Sequence, residues 1–165
     1  LPDETGTVLT SASSVVLPKG GDAVFARLIG NVSVSHNVTT LVPFNSEDFD
    51  SNSFFNTGTS KFQPSIAGYY FVSANIAFEG GGARNYAYAL TFHKNGSRYA
   101  HTAYRTAATN NSDNNANVSA MVYLNGSTDF ISTYFYQYDY TSQLSVDIYG
   151  AYQLSYFSAF LVRAA

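Results

Sequence analysis

The chain has 165 residues, enough for one domain with a sizeable core, and its net charge is −3. Only 12% of the residues are charged, whereas 45% are hydrophobic and 16% are aromatic. The acidic balance argues against nucleic-acid binding, and the lack of Cys excludes disulfides and thiolate zinc sites. No apolar run reaches the roughly 20 residues of a membrane span, so we expect no membrane insertion. This composition is typical of an all-β domain.

Residues 1–22 are polar with short apolar interruptions and carry too little hydrophobic pattern to form a core. They end in the turn-forming residues Pro18-Lys19-Gly20-Gly21-Asp22. We therefore expect a stalk-end or linker segment over residues 1–22 and one folded domain over residues 23–165. A disordered leader is the alternative for the first segment. Because the chain starts at Leu1 without Met, we also expect it to be a piece of a longer protein.

The stretch Ala23–Ser35 keeps one alternation throughout, which predicts a long strand. Its inward face would carry Val24, Ala26, Leu28, Gly30, Val32 and Val34. Phe25 and Ile29 interrupt the polar face, and exposed apolar side chains of this kind indicate a partner surface. Cover by the N-terminal segment is the alternative.

Glu47, Asp48 and Asp50 form an acidic cluster. Carboxylates at this spacing can bind Ca²⁺, but no Asp-x-Asp-x-Asp-Gly loop completes the pattern. We interpret the cluster as a solvated loop and assign no metal ligand to it.

The stretch Lys61–Phe78 predicts the central strand of the domain. Pro64 cannot donate to a sheet ladder and should precede the strand, while Gly68 suits a tight entry to the strand or a close approach of two backbones. From Tyr70 to Phe78 alternate residues are apolar, yet Tyr69 and Phe71 make the opposite face aromatic as well. A single sandwich covers one face of a strand, so the second face needs cover from elsewhere.

Asn95-Gly96 predicts a two-residue type I′ hairpin, because both positions tolerate a positive φ. In that register His93 lies opposite Arg98. His101 would lie opposite Leu90, so the histidines form no metal pair.

The polar residues 106–117 predict an exposed loop before another alternating strand, Ala116–Leu124, which ends at a second turn, Asn125-Gly126. Combining these strands with the C-terminal stretch Tyr156–Val162 gives a predicted core. Its members are Tyr70, Val72, Val122, Leu124 and Phe157.

Phe130–Tyr140 is the most aromatic stretch of the chain. Exposed Tyr beside polar side chains can stack on sugars and bond their hydroxyls. Candidate ligand-binding residues are Tyr136, Tyr138, Asp139 and Tyr140. The alternative, which we favour for the stretch as a whole, is sheet core and subunit interface.

Catalysis finds little support in the sequence. No G-x-S-x-G elbow is present, and no carboxylates can be placed together as a glycosidase pair. The aspartates considered for such a pair are Asp113, Asp129, Asp139 and Asp147. We expect no catalytic residue and no cofactor.

Several motifs resemble the C1q/TNF-like jelly-roll family, and they occur in the family's order. The core motif is matched by Phe62, Pro64, Gly68, Tyr70 and Ser73. Further matches are Val42-Pro43-Phe44-Asn45, Phe49-Asp50, Lys94-Asn95-Gly96, Val118–Leu124 and Phe157–Leu161. Departures occur at Gly126–Asp129, where the family has a Gly-Asp pair, and at Ala159, where it has Gly.

The resemblance implies an antiparallel jelly-roll β-sandwich that assembles as a homotrimeric knob on a stalk. Candidate trimer-interface residues are Phe25, Ile29, Tyr69, Phe71 and Phe160. The segment LPDETGTVLTSAS resembles the stalk ends of phage and cyanobacterial fibre-like proteins. We therefore expect the knob of a phage fibre on the virion surface, with a host-surface glycan or protein receptor as partner. Alternatives are a purely structural trimerisation domain and a secreted bacterial adhesion protein at the cell surface.

Overall fold

The computed structural model describes residues 22–79, 85–107, 114–151 and 153–165. The predicted stalk-end segment, up to residue 21, and the middle of the predicted polar loop, residues 108–113, lie outside these ranges. The described residues form thirteen strands: β1 Ala23–Arg27, β2 Val32–Val34, β3 Thr39–Leu41, β4 Ser46–Asp50, β5 Phe55–Asn56, β6 Lys61–Phe62, β7 Ala67–Phe78, β8 Asn85–Lys94, β9 Ser97–Ala107, β10 Asn114–Asn125, β11 Ile131–Asp139, β12 Val146–Ile148 and β13 Tyr156–Ala164.

The strands form two antiparallel sheets. In the first sheet β7 is central, with β10 along one side, β13, β1 and β4 in succession on the other, and β12 with β2 at its C-terminal end. The second sheet runs β5, β6, β11, β8 and β9, and β3 pairs with β11. The prediction of an all-β antiparallel sandwich is confirmed.

Strand β7 has the predicted position and alternation. It pairs with β10 over its whole length, and its even-numbered residues from Tyr70 to Phe78 are buried. A Cβ at Gly68 would lie 2.5 Å from the Arg163 carbonyl oxygen, so Gly permits the close approach of β13 that the sequence predicted.

The predicted core is confirmed, because Tyr70, Val72, Val122, Leu124 and Phe157 are at most 1% exposed. The Tyr70 hydroxyl donates to the Ile66 carbonyl oxygen at 2.8 Å. Burial, with a smaller contribution from Asp22, raises the pKa of Tyr70 to about 12.

Phe157 is the centre of this core and joins the two sheets. Four rings lie with their centroids 5.3 to 6.3 Å from its own, namely those of Phe44, Phe55, Phe62 and Phe92. Aromatic pairs at these separations stabilise a core beyond the area that they bury.

The expectation of one long strand over Ala23–Ser35 is wrong. Strand β1 ends at Arg27, Gly30 takes a φ of +80°, and the chain resumes as β2 beside β12 at the other edge of the sheet. A Cβ at Gly150 would lie 2.3 Å from the Gly30 carbonyl oxygen, so two glycines meet at this break. The alternation of the sequence does not reveal the break, because Leu28 and Val32 on either side of it have the same parity as Val24.

The Asn95-Gly96 hairpin is confirmed, with φ of +52° and +82° at its two residues. His93 lies opposite Arg98 as predicted. The register then shifts between Phe92 and His93, so His101 lies opposite Thr91 and not opposite Leu90.

The predicted loop over residues 106–117 is shorter than expected. Thr106 and Ala107 complete β9, and Asn114 to Asn117 begin β10. Hydrogen bonding along neighbouring strands outweighs the low β propensity of this polar run.

Candidate functional site

The outer face of the first sheet carries a group of large apolar side chains. We call this group the aromatic face, and it comprises Phe25, Phe49, Tyr69, Phe71, Met121, Tyr123 and Phe160. Most members alternate with core residues of β1, β7, β10 and β13, so their side chains point away from the sandwich interior, and Phe49 of β4 lies opposite Phe25.

Strand register brings the centre of the aromatic face together. Phe71 lies opposite Phe160 of β13 and Met121 of β10. Tyr69 lies opposite Tyr123 in the next row. The ring centroids of Phe71 and Phe160 are 5.4 Å apart, as are those of Tyr69 and Tyr123. Cross-strand pairs of this kind form one surface rather than scattered residues.

Much of this apolar surface is open within a single chain. Phe49, Tyr69, Met121 and Phe160 are between 47% and 52% exposed. Single exposed apolar residues are common on protein surfaces, but adjoining ones mark an interaction site.

Phe25 of β1 lies on the same outer face but one row further along, opposite Ser158. Its ring lies 5.1 Å from Tyr156 and 6.0 Å from Phe49, and it is half-buried. Four of the predicted interface residues therefore share one face, namely Phe25, Tyr69, Phe71 and Phe160. Ile29 lies beyond the end of β1, where its N–H donates to Asn45 Oδ1 at 2.7 Å, and the structure does not group it with them.

The same outer face becomes polar further along the strands. Ser73 lies between Ser119 and Ser158 in one row, and Asn75 lies between Asn117 and Tyr156 in the next. The amides of Asn75 and Asn117 donate to backbone carbonyls of their own chain. On β7, β10 and β13 the apolar side chains are thus confined to one end of the sheet, whereas Phe25 and Phe49 lie beside the serine row.

The second sheet presents a different aromatic group on its outer face. We call it the tyrosine surface, and it consists of Tyr134, Tyr136, Tyr138 and Tyr140. Alternation along β11 produces it, because Phe135, Gln137 and Asp139 point inward and are buried.

Partners within the chain hold these tyrosines. The Tyr138 ring centroid is 4.4 Å from that of His36 and 4.7 Å from that of Tyr140. The Tyr136 hydroxyl donates to Asn37 Oδ1 at 2.9 Å. Burial raises the pKa of Tyr136, with smaller contributions from Tyr138 and Tyr140.

His93 supports the other end of this surface, with its ring centroid 4.3 Å from that of Tyr134. Burial lowers the pKa of His93, and the positive charge of Arg98 lowers it further, whereas a hydrogen bond with the Gly96 backbone opposes the shift. The neutral imidazole is therefore the favoured form beside Tyr134.

Asp139 lies beneath the tyrosines and is fully buried. Its carboxylate accepts hydrogen bonds from the backbone N–H groups of Thr141 at 2.8 Å and Ser142 at 3.1 Å. Its own backbone N–H donates to His36 Nδ1 at 3.1 Å. Asp139 thus shapes the turn after β11, whereas the tyrosine rings beside it reach the surface.

The acidic cluster is part of an edge strand, so the predicted solvated loop is wrong in its secondary structure. Arg27 Nε lies 2.6 Å from Asp48 Oδ1, and Asp50 accepts the Phe55 N–H at 2.7 Å. Pairing with β1 orders these residues as β4. Among the described residues, no group of three His, Asp or Glu side chains is placed to hold a metal ion.

Asp129, one of the aspartates considered for catalysis, closes the turn after β10. Asn95 donates to it at 2.7 Å, and Lys94 Nζ lies 3.0 Å from its other oxygen. The hydrogen bond from Asn95, followed by that from Lys94, lowers the pKa of this carboxyl. Across the four described ranges, no helix has the length and apolarity needed to span a membrane.

Three members of the aromatic face were not found from the sequence, namely Phe49, Met121 and Tyr123. Met121 and Tyr123 alternate with the buried Val122 and Leu124, so the second parity of β10 carried a usable signal. Phe49 lies between Asp48 and Asp50, in a segment whose sequence predicts a solvated loop.

No family model matches the chain, and no curated protein matches it in sequence. Its fold, however, matches solved structures. The Eiger TNF of S. frugiperda is similar at a TM-score of 0.63 and 13% identity, covering 89% of this chain and 96% of that one. The globular domain of the zebrafish complement 1qA protein has a TM-score of 0.58 and 14% identity, covering 88% and 100%. Murine APRIL has a TM-score of 0.59 and 8% identity, covering 85% and 98%.

These similarities define the class of fold. The chain is an antiparallel jelly-roll sandwich of the C1q/TNF-like type, as the sequence motifs predicted.

Proposed function

We propose that the chain is a non-enzymatic, homotrimeric structural and recognition module that forms the distal knob of a phage fibre or related appendage. The observation that carries this proposal is the aromatic face, where Phe71 and Phe160 stack on the outside of the sandwich. The phenylalanine side chains of this face have no polar atom that water could satisfy, so their burial against an apolar partner is favourable.

A second and third copy of the same chain are the partners that suit this face. Closed cyclic symmetry buries the same patch on every subunit and leaves no open end for further growth. Obligate interfaces are large and apolar, on the order of 2,000 Å² or more. The jelly-roll fold and the family motifs favour three copies over two.

Recognition is assigned to the tyrosine surface. Strand pairing places it on the second sheet, away from the aromatic face, so assembly through the first sheet leaves it open. Tyr138 and Tyr140 offer adjoining rings with hydroxyls, which suit the C–H faces and hydroxyls of a sugar. A host-surface glycan is the proposed ligand, a protein receptor is the alternative, and the virion surface is the proposed location.

A purely structural trimerisation domain is the second candidate function. It is favoured by the contacts that the tyrosine surface already makes within its own chain, such as the hydrogen bond from Tyr136 to Asn37. Such a domain would align the fibre and bind no external ligand.

Glycan arrays probed with the full chain separate the two functions. We expect the wild type to bind host-surface glycans and the double variant Tyr138→Ala, Tyr140→Ala to lose that binding while remaining a trimer. Leu154→Ala is the matched control, because this exposed apolar residue lies outside both aromatic groups. Equal binding by wild type and double variant would remove the tyrosine surface as the site, and a trimer that binds nothing would favour the structural function.

A further inference from the structure

A polar cavity of about 530 Å³ lies between the β5–β6 hairpin and the turn after β10. Its lining includes Asn56, Lys61, Gln63, Pro64, Ser65 and Ser127. The volume falls within the roughly 300 to 1,000 Å³ typical of small-molecule sites. Neither the aromatic face nor the tyrosine surface contributes a residue to it.

The strands beneath this cavity hold Lys61 in place. Lys61 pairs with Asn56 of β5 on one side and with Ser132 of β11 on the other. Directly opposite residues in antiparallel strands project to the same side of the sheet, so Asn56 and Lys61 are neighbours in the cavity wall. A site built on paired strands is better ordered than one built on loops alone.

The two sides of the cavity are joined by a hydrogen bond, and its floor is apolar. Gln63 Nε2 donates to the Ser127 carbonyl oxygen at 2.7 Å, which links the segment after β6 to the turn after β10. The floor consists of Phe54, Phe55 and Pro64, which are buried. An apolar floor with polar groups around it is the usual composition of a ligand pocket.

The charge within the cavity is one-sided. Lys61 is the charged residue among the described lining residues, which include no Asp or Glu. Its Nζ lies 4.1 Å from the centroid of the Phe130 ring, and no carboxylate in the described part of the chain forms an ion pair with it. An ammonium positioned over a ring but unmatched by a carboxylate can donate hydrogen bonds to an anionic group of a ligand.

Hydrogen-bond donors and hydroxyls complete the site. Asn56 Oδ1 accepts the Thr59 N–H at 3.0 Å, which leaves the Asn56 amide NH₂ as the group free to donate outward. Ser53 and Ser65 add hydroxyls to the lining, whereas the Ser127 hydroxyl already donates to Asn125 Oδ1 at 3.2 Å. Hydroxyls both donate and accept, so they match the hydroxyls of a sugar ring.

We propose that this cavity binds a sugar residue that carries a carboxylate, of the uronic-acid type, with Lys61 against the carboxylate. The apolar floor receives the C–H face of the ring, and the Asn56 amide with the Ser53 and Ser65 hydroxyls bonds its hydroxyls. A surface polysaccharide is the source, and this choice of source rests on the proposed recognition function. The carboxylate preference itself rests on Lys61 and the lining of the cavity.

The test is a titration of the isotope-labelled full chain with glucuronate, glucose and acetate as separate probes. Binding is monitored through the NMR chemical shifts of the backbone amides. Glucuronate should shift the amide signals of Asn56, Lys61 and Ser127 and saturate at a lower concentration than either other probe. Equal binding of acetate and glucuronate would contradict a sugar site and leave a simple anion site. Equal binding of glucose and glucuronate would contradict the role of Lys61, and no saturable shift would overturn the proposal altogether.

Variants locate the effect. Lys61→Met keeps the aliphatic stem over Phe130 and should weaken glucuronate binding about tenfold or more, the usual effect of losing a charge-assisted hydrogen bond. Arg98→Gln is the matched control, because it removes an equal charge from the exposed β8–β9 hairpin and should leave binding unchanged. An equal loss in both variants would contradict a defined site.

The failure of this proposal can be told apart from failure of the proposed function. If Lys61→Met binds glycan arrays as the wild type does while the tyrosine variants do not, the cavity is excluded and recognition stands.

Discussion

The two outer faces of the sandwich are both aromatic, but they satisfy their side chains in different ways. On the first sheet, Phe71 and Phe160 contact each other and have no polar atom. On the second sheet, Tyr136 donates to Asn37 and Tyr138 lies against His36, so contacts within the chain hold the rings. Aromatic content alone therefore does not define an interface. The difference lies in whether the chain supplies polar partners of its own.

This contrast assigns separate tasks to the two faces. Exposing adjoining phenylalanine rings to water is unfavourable, so the aromatic face is the one that other subunits should cover. Tyrosine hydroxyls remain favourable in water, so the tyrosine surface can stay open and meet a ligand.

The largest expected effect comes from a charge on the aromatic face. Phe71→Asp should abolish assembly, because a carboxylate buried between subunits without a partner is strongly disfavoured. Sedimentation of the variant should show single chains or unfolded material. Ser97→Asp adds the same charge to the exposed hairpin and should sediment as the wild type. Retained assembly in Phe71→Asp would contradict the role of this face.

A second pair of variants separates core from interface on one strand. Leu124 is fully buried, so Leu124→Ala should lower the free energy of unfolding by about 2–5 kcal/mol in denaturant titrations. Met121, of the opposite parity, is 48% exposed in one chain. Met121→Ala should instead raise the protein concentration needed for assembly, measured by dilution. A wild-type dilution curve for Met121→Ala would place this residue outside the interface.

A third variant tests the strand contact that supports the aromatic face. Gly68→Ala puts a Cβ against the Arg163 backbone, which forces β7 and β13 apart near Tyr69 and Phe160. We expect a loss of about 1–3 kcal/mol in unfolding free energy, as for other overpacked sites. Gly58→Ala is the steric control, because its φ is not positive and a Cβ there would meet only Asn56 Oδ1, at 3.4 Å. Thermal unfolding that is unchanged in Gly68→Ala would contradict the close approach.

The smallest expected effect is a pH dependence of the free energy of unfolding that comes from His93, beside the tyrosine surface. Burial lowers the pKa of His93 in the folded protein below its ordinary value of 6.5, so the unfolded chain binds the proton more tightly. Stability from this residue is present above pH 6.5 and falls as the pH drops from there through the folded pKa. His93→Gln should flatten this part of a stability profile measured by denaturant unfolding. An identical slope in wild type and variant would assign the effect to another group.

The sequence predicted the features that depend on alternation and local turn chemistry. Both faces of β7 were predicted from its two apolar parities. The Asn95-Gly96 turn was predicted because both residue types tolerate a positive φ, which both residues adopt. The break at Gly30 was missed because parity continues through it, and the position of His101 was missed because a bulge leaves no signal in the residue pattern.

The candidate sites were predicted less completely than the fold. Phe71 and Phe160 were found because each adds an aromatic ring to a face that should be polar. The cavity around Lys61 was not found, since its walls come from segments separated by about two fifths of the chain's length and only the fold brings Asn56 and Ser127 together. Asp139 was proposed as a ligand-binding residue because it lies between Tyr138 and Tyr140 in the sequence. Its complete burial was not predicted.

Sedimentation equilibrium of the full chain at micromolar concentration tests the central claim most directly. The claim is that the aromatic face is buried between three copies. It predicts a species of three times the 17.9 kDa of one chain, which persists on dilution and disappears in Phe71→Asp. A wild-type species of 17.9 kDa under the same conditions would contradict it, because the aromatic face would then be exposed to water in the native protein.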